Sequence, residues 1–213
     1  MAKLNSGILG GISGTVGNVV GGRWRGIDYI RSKPASVKNP NTEAQQEQRM
    51  RFRLTMSLLK KIRPYVSAGF QNGNRQQTAM NAAMSVNVRE AIGGTFPNLE
   101  IDPSKLVVSV GDLAGSAQAE LDVSVAETAT VTWLNEAGTG NASDDDAVMA
   151  LLYNKEKDDV IYKLHGASRE DETLSITIPS SWSGDTVAGY ITFRSETDRN
   201  VSNGIFLGEE TAA

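Results

Sequence analysis

The pattern of apolar and polar residues changes near residue 104. Before that point, apolar residues recur at the three- and four-residue spacing of amphipathic helices, whereas after it they alternate with polar residues as in half-buried strands. The first thirty residues follow neither pattern and are rich in glycine. We therefore predict an α+β protein whose helices precede its main sheet region.

Two helices are predicted in the first half of the chain. The first begins at Thr42, which forms a capping box with Gln45, and ends at Pro64. The second spans residues 75–92 and ends at Gly93-Gly94. Their short polar connection predicts an αα-hairpin. The apolar stripes are Met50, Leu54, Leu58 and Ile62 in the first helix, and Met80, Met84, Val88 and Ile92 in the second.

Short alternating segments separated by turns fill residues 99–213. Their number and spacing predict an immunoglobulin- or fibronectin-III-like antiparallel β-sandwich, with Trp133 in its core. The predicted strands are 105–110, 118–125, 128–134, 147–153, 159–164, 173–178, 186–194 and 204–207.

The glycine-rich start predicts a β-hairpin over residues 15–32. Gly21-Gly22 is the expected two-residue turn, because β-branched and aromatic residues flank it. In the second strand, Ile27 and Tyr29 are expected on one face, and Trp24 and Ile30 on the other. Both faces are then partly apolar, which predicts a ribbon covered on two sides, either from within the subunit or by a neighbour.

Charge is distributed unevenly along the chain. Residues 1–98 contain 14 Lys and Arg against four Asp and Glu, whereas residues 99–213 contain seven against 21. We therefore predict a basic assembly domain (1–98), made of the β-hairpin and the helices, and an acidic sandwich domain (99–213). Opposite charge on the two parts also suits head-to-tail stacking of identical subunits.

The residue types argue against catalysis. The chain has no cysteine and a single histidine, His165, which we interpret as a surface residue. No phosphate-binding glycine motif is present. Asp144-Asp145-Asp146 could supply calcium ligands, but a solvated acidic loop is the favoured interpretation. We predict a protein that is not an enzyme and has no cofactor, metal or small-molecule substrate.

Localisation follows from the apolar segments. No apolar run is long enough for a membrane-spanning helix. The N-terminus lacks the apolar core of a signal peptide, so we expect synthesis in the cytoplasm and a final place in a virion or extracellular assembly.

The candidate interface lies in the basic half. It is expected to bind further copies of the chain or other particle proteins, or nucleic acid through residues 1–66. A separate candidate is Trp182, in a Ser- and Gly-rich loop, as an aromatic platform for a ligand. The interface candidates are Gly14, Val16, Gly17, Gly21, Gly22, Arg23, Trp24, Arg25, Tyr29, Arg31, Arg49 and Arg53.

Both ends of the chain resemble a known family. The opening GILGGISGTVGNVVGGRWRGIDYIRSKP and the closing GDTVAGYITFRSETDRNVSNGIFLG are similar to segments of an uncharacterised protein family of Bacteroidota. The segment NPNTEAQQEQRMRF is similar to part of the same family and to segments near the start of phage and prophage particle proteins. The resemblance implies an association with phage-like loci and a structural role.

Three hypotheses therefore remain at this point. The first is a structural subunit of a phage or phage-like particle or filament. The second is an adhesion module whose sandwich binds carbohydrate or protein. The third is a protein that contacts DNA through its basic half.

Overall fold

The computed structural model describes residues 3–4, 10–36, 40–71, 77–197 and 200–213. The chain divides into two compact units, Met1–Thr42 and Glu43–Ala213. Within the described ranges the strands form four antiparallel sheets, and together with the helices they make an α+β protein.

The first unit contains one sheet, which we call the N-terminal sheet. Its four strands lie side by side in sequence order. They are β1 (Lys3–Leu4), β2 (Ile12–Val16), β3 (Val19–Trp24) and β4 (Ile27–Ser32).

The predicted turn at Gly21-Gly22 is wrong, because both glycines lie inside β3. The turns fall at Gly17-Asn18 and Arg25-Gly26, where Gly17, Arg25 and Gly26 have φ values of 55°, 49° and 86°. Tight hairpin turns need this left-handed backbone, which glycine adopts without strain. The predicted single hairpin is therefore part of a longer meander.

The second unit begins with helices. Within its described residues these are α1 (Glu43–Lys61), α2 (Arg63–Gly69) and α3 (Ala79–Glu90). Pro64 does not simply end the first helix, because it lies in the first turn of α2, where a missing N–H costs nothing. Thr78 caps α3 by accepting a hydrogen bond from the Asn81 amide at 3.2 Å. The predicted start of that helix, at residue 75, lies outside the described residues.

A short hairpin follows α3, formed by β5 (Ile92–Thr95) and β6 (Asn98–Ile101). Gly93-Gly94, predicted as the end of the helix, lies in its first strand. The predicted strand 105–110 is wrong, because the Val107 backbone pairs with a side chain instead. Asn87 of α3 accepts from the Val107 amide and donates to the Val107 carbonyl, each at 2.8 Å.

Seven strands complete the unit in two antiparallel sheets. The strands are β7 (Ala119–Val125), β8 (Thr128–Trp133), β9 (Ala147–Asn154), β10 (Asp159–Ser168), β11 (Thr173–Thr177), β12 (Thr186–Arg194) and β13 (Ile205–Thr211). One sheet has the order β11-β8-β7 and the other the order β10-β9-β12-β13.

Strand β9 shows how the second unit is layered, since all eight of its residues are buried. Val148 and Leu152 belong to the core shared with the three-stranded sheet, whereas Met149 and Leu151 belong to the core shared with the helices. Alternate side chains of a strand point to opposite faces, so β9 is covered on both. The four-stranded sheet is thus the middle of three layers. The predicted domain boundary between residues 98 and 99 falls inside this unit, in β6.

Candidate assembly interface

The N-terminal sheet exposes large apolar side chains on both faces. Six of them are between 40% and 67% exposed. Single exposed apolar residues are ordinary on protein surfaces, but contiguous groups mark interaction sites. The six are Val16, Val19, Trp24, Ile27, Tyr29 and Ile30.

One face, which we call the tryptophan face, carries Trp24, Ile27 and Tyr29. Trp24 lies directly opposite Ile27, and Gly22 opposite Tyr29, so all of them point to the same side. The prediction that Trp24 shares a face with Ile30 is therefore wrong: Trp24 ends β3 and Ile30 lies in β4, so the alternation along one strand does not continue across the turn between them. The three side chains line a shallow depression of about 410 Å³.

The opposite face, which we call the valine face, carries Val16, Val19 and Ile30. Val16 lies opposite Val19, and Gly21 lies opposite Ile30. A Cβ at Gly21 would lie 2.1 Å from the carbonyl oxygen of Ile12, so a side chain there would push β2 away. The close approach of the backbones explains why glycine occupies this position.

Charge accompanies these apolar groups. The first unit contains six Lys and Arg and one acidic residue, Asp28. On the valine face, Arg23 lies 3.6 Å from the Asp28 carboxylate. On the tryptophan face, the Arg25 guanidinium lies 4.9 Å from the Trp24 ring centre, which is a cation–π contact. Arg31 is on the same face, opposite Val20. A partner of this sheet therefore meets apolar surface bordered by positive charge.

The structure divides the predicted interface residues between the two units. Ten of them, from Gly14 to Arg31, belong to the N-terminal sheet and its turns. Arg49 and Arg53 lie on α1 in the second unit, where they line a separate depression of about 410 Å³ with Met50, Leu54 and Phe96.

The prediction that Trp182 forms a ligand platform is wrong. Trp182 ends a short 3₁₀ helix (Ser180–Trp182), and its side chain is 1% exposed in the core between the two sheets. A sugar platform needs an accessible ring face, which this residue does not offer. The Ser- and Gly-rich loop around it suggested exposure, but the large apolar ring is buried.

Sequence reasoning missed a buried ion pair. Arg169, in a polar stretch at the end of β10, lies inside the second unit against Asp146. The interpretation of Asp144-Asp145-Asp146 as a solvated loop is therefore wrong for Asp146, whereas Asp144 and Asp145 are exposed. No spacing signal in the sequence distinguishes this arginine from surface ones. Within the part of the chain that the structure describes, no group of three or more His, Cys, Asp or Glu could hold a metal ion.

No helix among the described residues has both the length and the apolarity needed to cross a membrane.

A family model matches residues 11–208, and its description is a family of unknown function, DUF6266. The chain belongs to this family. The DUF6266 match includes β2, β3 and β4, so both apolar faces of the N-terminal sheet lie within the family region. It also covers all the strands of the second unit except the end of β13. No curated protein matches the chain.

Proposed function

We propose that this DUF6266 protein is a non-enzymatic structural subunit of a phage or phage-like particle or filament, and that it assembles through its N-terminal sheet. The observation that carries the proposal is the exposure of large apolar side chains on both faces of that sheet. The phage-like setting rests on the resemblance of NPNTEAQQEQRMRF to segments of phage particle proteins.

The energetics of the sheet favour assembly. Burying a large apolar side chain contributes about 1.5–3 kcal/mol, and six such side chains are exposed here. A small sheet is stable in water when a hydrophobic face packs against another element. Within the first unit the backbone of Gly11 and Ile12 approaches Asp28 and Gly21 on the valine face, whereas no described helix or second sheet covers the tryptophan face. A neighbouring subunit therefore supplies the missing layer.

We further propose that β7–β13 form a fibronectin-III-like sandwich that acts as the outward-facing body of the subunit. The strand orders β11-β8-β7 and β10-β9-β12-β13 support this, because they correspond to the three- and four-stranded sheets of that fold. The helices cover the outer face of the four-stranded sheet.

Sedimentation velocity and negative-stain imaging of the full chain test the assembly proposal. A triple variant, Trp24→Ser with Ile27→Ser and Tyr29→Ser, removes the tryptophan face. The matched control is Val125→Ser with Leu134→Ser, because both residues are exposed apolar side chains of the second unit. We expect ordered oligomers or filaments in the unmodified chain and the control, and smaller species in the triple variant.

Two results would contradict the proposal. One is a monomer in the unmodified chain at high concentration across a range of salt concentrations. The other is a monomer that binds DNA with an affinity falling steeply as salt rises, which would favour nucleic-acid contact instead.

A further inference from the structure

We propose that two copies of the chain join through antiparallel pairing of their β4 strands, with Ile30 of one copy opposite Ile30 of the other. This inference rests on the proposed function. It adds the identity of the partner, a second copy of the chain, and the register of the contact.

Among the described strands, β4 forms one edge of the N-terminal sheet. It ends the strand order and pairs on one side with β3. All six of its residues are exposed, and it contains neither proline nor lysine. Such an edge offers a row of unpaired backbone N–H and C=O groups to another strand.

The register of β3 and β4 determines which backbone groups face outward. The Lys33 amide donates to the Asn18 carbonyl at 2.7 Å, so Asn18 and Lys33 form a hydrogen-bonded pair. Hydrogen-bonded pairs alternate along an antiparallel ladder. The residues of β4 that bond to β3 are therefore the odd-numbered ones, and Asp28, Ile30 and Ser32 direct their backbone groups away from the sheet.

These outward groups restrict how two copies can pair. In a symmetric pairing, the residues whose backbone groups point away from β3 must lie opposite one another in the two copies. Because these residues are every second one along β4, one residue of β4 must lie opposite its own equivalent, and the pairing is centred on that residue. Centring on Asp28 or on Arg31 places identical charges directly opposite each other, which is unfavourable. Centring on Ile27 or on Ser32, the two end residues of β4, leaves every other residue of the strand without a partner in the second β4. Two registers therefore remain, centred on Tyr29 or on Ile30.

Side-chain chemistry favours the register centred on Ile30. It places Tyr29 of each copy opposite Arg31 of the other, which allows two cation–π contacts. It also places Asp28 opposite Ser32, whose hydroxyl can donate to the carboxylate, and it pairs Ile30 with itself. The register centred on Tyr29 instead places Arg31 opposite Ile27, an apolar residue.

The pairing extends the sheet without reversing it. Residues opposite each other in a ladder point to the same side, so the tryptophan faces of the two copies become one continuous surface. About six new backbone hydrogen bonds form, two for each hydrogen-bonded pair. The negative charge of Asp28 is balanced by Arg23, which lies beside it, so this charge does not disfavour the contact.

Single cysteines test the register directly, since the natural chain has none. Ile30→Cys places two thiols opposite each other at a Cα separation of about 5.5 Å, which a disulfide can span. Tyr29→Cys is the matched control, because Tyr29 lies opposite Arg31 of the second copy and therefore two residues away from the second Tyr29. In a mixture of Tyr29→Cys chains with size-tagged Arg31→Cys chains, the proposed register places the thiol of one chain opposite the thiol of the other.

We expect mild oxidation to give covalent dimers of Ile30→Cys and mixed dimers of the Tyr29→Cys and Arg31→Cys chains, but few dimers of Tyr29→Cys alone. Efficient dimers of Tyr29→Cys alone would overturn the proposed register. If no variant forms dimers while the unmodified chain still assembles, β4 pairing is wrong and the proposed function stands. If the unmodified chain is also monomeric, both proposals fail.

A backbone test accompanies the thiol test. Ile30→Pro removes an outward N–H without removing a hydrogen bond to β3, because Ile30 does not donate to that strand in this register. Ile30→Thr is its control, since threonine is β-branched and keeps the N–H. We expect the proline variant, but not the threonine variant, to lose the dimer. Equal dimerisation of both variants would contradict β4 pairing.

Discussion

Arg169 donates from Nε to the Asp146 carboxylate at 3.1 Å, and the two side chains are 0% and 2% exposed. The other guanidinium nitrogens donate to the carbonyls of Ala114 and Gly115 at 2.7 and 3.1 Å. The guanidinium lies 3.9 Å from the Phe193 ring centre. Burial lowers the pKa of Arg169, and the Asp146 carboxylate opposes that shift. One arginine thus joins the end of β10 to the Ala114–Gly115 loop.

Removing one partner of this pair should destabilise the second unit strongly. We expect Asp146→Ala to lower the free energy of unfolding by about 3–5 kcal/mol, because it leaves a buried charge uncompensated. Chemical denaturation measures the change. The control is Lys155→Ala, which breaks an exposed ion pair with Glu100 and should cost about 1 kcal/mol or less. Similar losses for the two variants would contradict the role assigned to Asp146.

Two neighbouring glycines of β3 should differ in their tolerance of alanine. At Gly21 a Cβ would lie 2.1 Å from the Ile12 carbonyl oxygen, which belongs to the backbone of β2. At Gly22 it would lie 2.9 Å from the hydroxyl of Tyr29, an exposed side chain that can rotate away. We expect Gly21→Ala to weaken β2–β3 pairing and assembly, and Gly22→Ala to retain both. Hydrogen exchange of the β2 and β3 amides checks this, and equal protection would refute it.

The stability of the second unit should fall at alkaline pH. Burial raises the pKa of Tyr65 and of Tyr190 above the ordinary tyrosine value. Burial, with the charges of Asp158 and Glu156, raises the pKa of Tyr153 to about 12. The unfolded chain releases these protons near pH 10 and the folded chain retains them, so the free energy of unfolding decreases as pH rises above about 10.

Tyr65→Phe isolates one of these contributions. We expect its unfolding free energy to fall less steeply between pH 10 and pH 11.5, by up to about 1.4 kcal/mol per pH unit. Comparing slopes separates this effect from the loss of the Tyr65 hydroxyl's hydrogen bonds to Thr192 and the Met149 carbonyl. Denaturant titrations at several pH values supply the slopes, and parallel curves would count against the prediction.

Trp24 should report whether assembly covers the tryptophan face. It is 63% exposed, whereas Trp133 and Trp182 are buried. We expect assembly to shift its fluorescence emission to shorter wavelength and to reduce quenching by acrylamide, because the ring leaves water. Trp24→Phe is the control, since its remaining fluorescence should not change on assembly. Unchanged quenching in assembled samples would show that this face stays open.

The sequence predicted the local elements where a strong pattern determined them. The strand predicted over residues 186–194 coincides with β12, and that predicted over residues 118–125 differs from β7 by one residue. The first helix begins at Glu43, one residue after the predicted cap Thr42, although it ends at Lys61 and Pro64 belongs to the next helix. Period and capping are local properties, so neighbouring residues suffice to specify them.

The positions that sequence alone misassigned depend on contacts between distant residues. Val107 lies in an alternating segment, but its backbone pairs with Asn87 twenty residues earlier. Trp182 lies in a polar loop, but the space between two sheets accommodates its ring. Gly21 and Gly22 have the composition of a turn, but both lie inside β3, where the backbone of β2 approaches Gly21 so closely that a side chain there would clash.

The sequence by itself thus determined an α+β chain with a basic, glycine-rich start, and it identified that start as the candidate interface. The tertiary structure decided which residues share a face, how the four-stranded sheet is covered on both sides, and where the charge of Arg169 is balanced. Periodicity is encoded in adjacent residues, whereas register, burial and charge pairing arise only when distant segments pack together.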